Sequence, residues 1–128
     1  MDPFCKPGIN YSFKCPCSLE YIGETKIQLI SRIKEHNRPS TESAISEHIH
    51  GSLKKQIQPC NIYNQSLLNC YGEKPTPTQK LEFIKNCFTV KQTNLTNYNF
   101  RKDHEAILIC LNNPTLNAQV AHRNISII

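Results

Sequence analysis

Residues 9–23 read INYSFKCPCSLEYIG, and no other segment constrains the fold as much. Two runs rich in β-formers, 11–14 and 19–22, flank Cys15-Pro16-Cys17-Ser18, a spacing that predicts a β-hairpin with a compact loop. The hairpin carries Tyr11 and Tyr21 on its strands and the thiols of Cys15 and Cys17 at its turn. Turn chemistry alone asks for neither two tyrosines nor two thiols, so something is expected to be built there. Gly23 then lets the chain leave the second strand closely packed.

Downstream, Thr25 and Gln28 have the spacing of a capping box, and residues 26–36 (KIQLISRIKEH) carry helical periodicity. Ile27, Leu29, Ile30 and Ile33 form the expected buried arc, with Arg32 and His36 one turn apart on its border. Pro39 stops this helix, and Ser40 is expected to open a second, buried through Ala44, Ile45 and Ile49. Residues 51–76 are polar, carry Cys60 and Cys70 and contain GEKPTP, which reads as irregular structure. Residues 77–86 (PTQKLEFIKN) form a short helix buried through Leu81 and Ile84, and 87–93 (CFTVKQT) alternate like a third strand. Residues 100–111 (FRKDHEAILICL) form a last helix covered by Ile107, Leu108 and Leu111, and the terminal NISII adds an edge strand or lies over the core. Cys87 and Cys110 fall in apolar patterns and are expected in that core.

A chain of 128 residues supports one domain with one modest core, so 1–128 is read as a single domain. No run approaches the roughly 18 apolar residues of a spanning helix, and no membrane partner is expected. The opening MDPFCKPGIN lacks the charged start and apolar stretch of a secretory signal, which favours an intracellular location. Seven cysteines without such a signal favour thiols or metal ligands over a disulfide scaffold, and a free-thiol count separates these from a disulfide-bonded secreted domain. The sequons at Asn10, Asn64, Asn94 and Asn124 are then chance matches. The net charge of +5 suits a polyanionic partner, and the basic residues Lys26, Arg32, Lys34 and Arg38, then Lys54 and Lys55, then Arg101 and Lys102, make a phosphate-tracking stripe if the fold gathers them.

The order of these marks resembles a GIY-YIG nuclease domain. The half-motifs are GINY (Gly8 to Tyr11) and YIG (Tyr21 to Gly23), followed by Arg32 and His36 on the first helix, Glu105 on the late helix and Asn117 in PTLN. More narrowly, CPCSLEYIGET, SRIKEH, SAISEH and HEAILICLNNPTLNAQ resemble the endonuclease domain attached to reverse transcriptases of Penelope-like retroelements. The resemblance covers residues 8–118 apart from 51–86, which reads as an insertion. The chain departs from the family's pattern in having GINY rather than a contiguous Gly-Ile-Tyr, and Glu24 where bacterial excision-repair members usually have Lys.

The resemblance implies an α/β domain with a small, mainly antiparallel or mixed three-stranded sheet flanked by helices. It also implies a Mg²⁺- or Mn²⁺-dependent DNA endonuclease that nicks target DNA for retroelement insertion, monomeric or weakly dimeric, with an associated reverse transcriptase and a nuclear location. Glu105 would hold the metal, Arg32 would grip a phosphate, Tyr11 would be the general base or water-orienting group, and Tyr21 would bond on the phosphate side. His36 would bond the phosphate or a tyrosine hydroxyl, and Asn117 would tie the C-terminal loop to the site. Half-buried strand tyrosines and a solvated helix Glu are the plain alternatives for Tyr11, Tyr21 and Glu105. The retroelement members further imply a structural Zn²⁺ on Cys15, Cys17 and two histidines. His48 matches the first and His50 is the nearest to the second, with Cys60 as an alternative from the insertion. A non-cutting, zinc-stabilised nucleic-acid-binding module is the rival function, and it predicts binding indifferent to Mg²⁺ and to loss of Glu105.

Overall fold

The computed structural model describes residues 3–39, 41–92 and 98–112. Strand β1 (Ile9–Lys14) is the centre of a three-stranded sheet, paired on one side with β2 (Glu20–Thr25) and on the other with β3 (Phe88–Gln92), both antiparallel. The expected hairpin is present. Ser18 N–H donates to Cys15 O at 2.8 Å and Cys15 N–H to Leu19 O at 2.9 Å, while Ser18 takes a left-handed φ of 81°. A three-residue loop closed by one left-handed residue is a favoured hairpin connection, and it leaves both thiols at the loop.

Five helices complete the described structure: α1 (Leu29–His36), α2 (Ala44–His50), α3 (Asn61–Tyr71), α4 (Pro77–Lys85) and α5 (Tyr98–Asn112). One face of β1 places Ile9, Tyr11 and Phe13 against Leu29 and Ile33 of α1, Ile45 and Ile49 of α2, Tyr63 of α3, Ile84 of α4 and Phe88 of β3. Helix α5 packs against β2 and β1. All of β1 except Lys14 is buried, as a central strand covered on both faces requires. Each fully buried isoleucine here contributes about 1.5–3 kcal/mol, so this common core holds the sheet and helices α1 to α4 together.

Several local expectations are corrected. Thr25 ends β2, and its Oγ1 accepts from Ile27 N–H at 3.2 Å, so α1 begins only at Leu29 without a side-chain cap and Ile27 lies outside the buried arc, 39% exposed. The second helix starts three residues beyond the expected region, with Ser43 as N-cap and Ser46 N–H donating to its Oγ. Residues 51–76 are not irregular throughout: they include an Ser52–Ile57 bridge and helix α3. Only Tyr63 and Leu67 of α3 are buried, one pair four residues apart, and so short a stripe left little periodicity to detect. Cys110 and Ile107 are exposed rather than in the core, while Cys87 packs half-buried against it. Asn117 and the terminal NISII lie outside the described residues. Among the described residues, no helix is long and apolar enough to cross a membrane.

Candidate active site and metal centre

The pairing register sets Tyr11 opposite Gly23, with Tyr21 two residues back along β2 on the same face. A Cβ at Gly23 would lie 2.6 Å from Tyr11 Oη and 2.8 Å from the Tyr21 ring. Glycine is therefore needed for close approach: any side chain would force the two rings, now 6.5 Å apart, away from each other. From α1, His36 brings its Nε2 to 3.1 Å from Tyr11 Oη, and its ring stacks on Phe88 at 5.9 Å. The other nitrogen, Nδ1, lies 2.9 Å from Ser43 Oγ at the start of α2.

Electrostatics at this site follow from burial. Desolvation raises the Tyr11 phenol well above its ordinary value, and the Arg32 guanidinium facing it only partly offsets this. Tyr21 is raised in the same way, by burial first and then by the Glu105 carboxylate. His36 is pushed down to about 3, by burial and then by Arg32, so its imidazole is neutral at pH 7. A buried neutral phenol needs an acceptor for its proton, and Arg32 is only a donor. His36 Nε2 is the acceptor beside it, which assigns the ring proton to Nδ1, donating to Ser43 Oγ. In the free protein Tyr11 therefore holds a proton and points it at His36.

Glu105 enters from α5. Its carboxylate acts on both Tyr11 and Tyr21 and accepts from the backbone N–H of Glu24, while burial raises its pKa against the opposing pull of Lys102. Lys102 Nζ lies 3.4 Å from Glu105 and 3.4 Å from Glu24, and Arg101 Nε donates to Glu24 at 2.8 Å. Arg32 pairs with Glu35 at 2.7 Å. Beside these groups is a cleft of about 340 Å³ lined by Lys26, Arg32 and Arg101 with Glu24 and Glu35. Three cations along one cleft wall suit a phosphate backbone. A larger cavity of about 770 Å³ lies between α2 and residues 51–59; it touches His50 and the stripe residues Lys54 and Lys55, which pair with Glu42 and Glu47 and lie apart from the Lys26, Arg32 and Arg101 cleft.

The second cluster is made of sulfur. The ligand atoms of Cys15, Cys17, His48 and Cys60 all lie within 4.8 Å of one another. Cys15 Sγ is 3.8 Å from Cys60 Sγ, and Cys17 Sγ is 3.3 Å from His48 Nε2. A tetrahedral zinc with bonds of about 2.3 Å to sulfur separates two sulfurs by about 3.8 Å, so the set fits such an ion. Burial keeps the His48 imidazole neutral, as a ligand must be, but pushes the Cys15 thiol up, so a thiolate there needs a cation beside it. His50 is not part of the cluster. Two positions past His48 on a helix, it points elsewhere, and its Nε2 lies 3.0 Å from Asn37 O. Cys60 takes the fourth place because its N–H donates to His48 O at 2.9 Å, folding the segment after α2 back onto the hairpin.

The structure thus brings together Tyr11, Tyr21, Arg32, His36 and Glu105 in one place and Cys15, Cys17, His48 and Cys60 in another. Sequence reasoning missed Ser43, although a Ser ahead of AISEHIH was a readable cap signal that had been assigned to Ser40. It also missed the pairing of Arg101 with Glu24, for which residues 77 apart give no local signal. No protein-family model, curated protein or solved structure matches the chain.

Proposed function

We propose that this chain is a divalent-metal-dependent DNA endonuclease of the GIY-YIG type, resembling the Penelope-like retroelement domain, that nicks one strand. The observation carrying this reading is that Tyr11, Tyr21, Arg32, His36 and Glu105, from two strands and two helices, interact around Gly23. A lone surface Glu and two core tyrosines would have no reason to interact with one another and with Arg32, which lines the neighbouring cleft.

The chemistry divides among these side chains. Glu105 offers one partly buried carboxylate, enough for a hard cation that takes its remaining ligands from water and phosphate. When bound, that cation supplies charge neutralisation on the phosphoryl oxygens and a more acidic water. Arg32 binds a non-bridging oxygen, exchanging Glu35 for the phosphate. Tyr21 donates to the same phosphate. Tyr11 takes the proton of the attacking water on its oxygen while passing its own to His36 Nε2. Phosphate charge at Arg32 weakens the repulsion that disfavours an imidazolium at His36. The four-ligand sulfur cluster is read as a structural zinc site that clamps the hairpin to α2 and Cys60.

The test is supercoiled plasmid incubated with metal-defined protein, with and without Mg²⁺, comparing wild type with Glu105→Ala. Nicking that needs Mg²⁺ and falls by about 100-fold or more in the variant is the expected result. A folded, DNA-bound wild type that cuts no better than the variant overturns it in favour of a non-cutting binding module.

A further inference from the structure

We infer that Ser43 is a positioning residue for the proposed nuclease site, and that the metal cluster at the far end of α2 holds it there, so that the two clusters work as one device; this rests on the nuclease reading above. Helix α2 is only seven residues long and is fixed at both ends by functional groups. At its start, Ser43 Oγ accepts from Ser46 N–H at 3.1 Å and lies 2.9 Å from His36 Nδ1. Towards its end, His48 joins Cys15, Cys17 and Cys60. The sulfur cluster grips the loop at the end of β1, four residues beyond Tyr11, and the same helix carries the partner of His36.

The loop formed is closed: Tyr11, His36, Ser43, along α2 to His48, across the metal ligands to Cys15, and back along β1 to Tyr11. A shift of α2 along its axis moves Ser43 off Nδ1. Without that acceptor, an Nδ1–H is left unpaired, and only the Tyr11 phenol's need for an acceptor still favours that tautomer. With the proton on Nε2, His36 donates to Tyr11 and cannot receive its proton. A metal would add bonds to the Cys17 Sγ–His48 Nε2 contact of 3.3 Å that already joins hairpin and helix, so metal occupancy tightens the hold on the tautomer.

The test reads the His36 ring nitrogens by ¹⁵N NMR at pH 7 in the full zinc-loaded chain, beside nicking rate and plasmid affinity. The expected wild-type spectrum shows a single tautomer protonated at Nδ1. Ser43→Ala should give a mixed or reversed tautomer and roughly tenfold slower nicking at unchanged DNA affinity, and Ser43→Thr, which keeps the hydroxyl, should restore both. Removing zinc with a chelator should disturb the same His36 signals; if the chain unfolds, His48→Cys, which keeps four ligands but moves the helix anchor, carries the same expectation. A folded Ser43→Ala protein with an unchanged tautomer overturns the role of Ser43, and His36 signals untouched by chelation or by His48→Cys overturn the coupling. A wild type that never nicks removes the nuclease reading instead, because the spectra are read without DNA cleavage.

Discussion

Tyr11 on strand β1 and Cys15 in the loop that follows it are only four residues apart, yet the two sites are held by different forces. Around Gly23 the groups are oxygens, a guanidinium and an imidazole, and they stay in place because β-pairing, core packing and ion pairs fix the elements that carry them. At the hairpin loop, three thiols and one imidazole converge with no ion pair among them and Cys15 raised by burial, so close grouping gains most when a cation is added. The contrast teaches that the first site is held by the packing of the fold, whereas the second has the geometry to gain stability from a bound cation.

The largest effect should come from the sulfur cluster. Cys60→Ser is expected to lower bound zinc well below one per chain and to lower the melting temperature by about 10 °C or more. His50→Ala should keep its zinc, since that side chain lies outside the ligand set. Metal analysis with calorimetry measures both, and equal zinc in wild type and Cys60→Ser would break the contrast between the two regions.

Gly23→Ala sharpens it from the other side. An added methyl 2.6 Å from Tyr11 Oη should cost about 1–3 kcal/mol in urea denaturation and separate the tyrosines, while zinc content stays the same. The third effect is on acid stability. His36 is held down to about 3 when folded and takes up a proton near 6.5 when unfolded, so the unfolded state binds the extra proton between those values. Stability contributed by neutral His36 is therefore complete above about pH 6.5 and is lost as pH falls, by up to about 1.4 kcal/mol per pH unit. His36→Gln should flatten that slope between pH 4 and 6.5; an unchanged slope would mean that His36 is not buried neutral.

The hairpin was legible in the sequence because two β-rich runs and a turn with two thiols lie within fifteen residues, where local chemistry decides the structure. The two tyrosines on the hairpin strands and the helical arc bordered by Arg32 and His36 followed from the same short range, whereas Cys15 and Cys17 as metal ligands were implied only by the family resemblance. Helix α3 was not legible, since one buried pair of side chains does not make a period. The last ligand was open for a different reason. His48 and His50 are near neighbours in sequence, but helical geometry turns them apart, and only the backbone bond from Cys60 to His48 brings the third thiol into range. Sequence by itself determined which residue types were available and where the chain turns; which of them meet was decided by long-range packing, through the register that puts Gly23 beneath Tyr11 and the helix α5 that carries Glu105 to both tyrosines. Such contacts depend on elements far apart in the chain being buried together, and no local pattern encodes that.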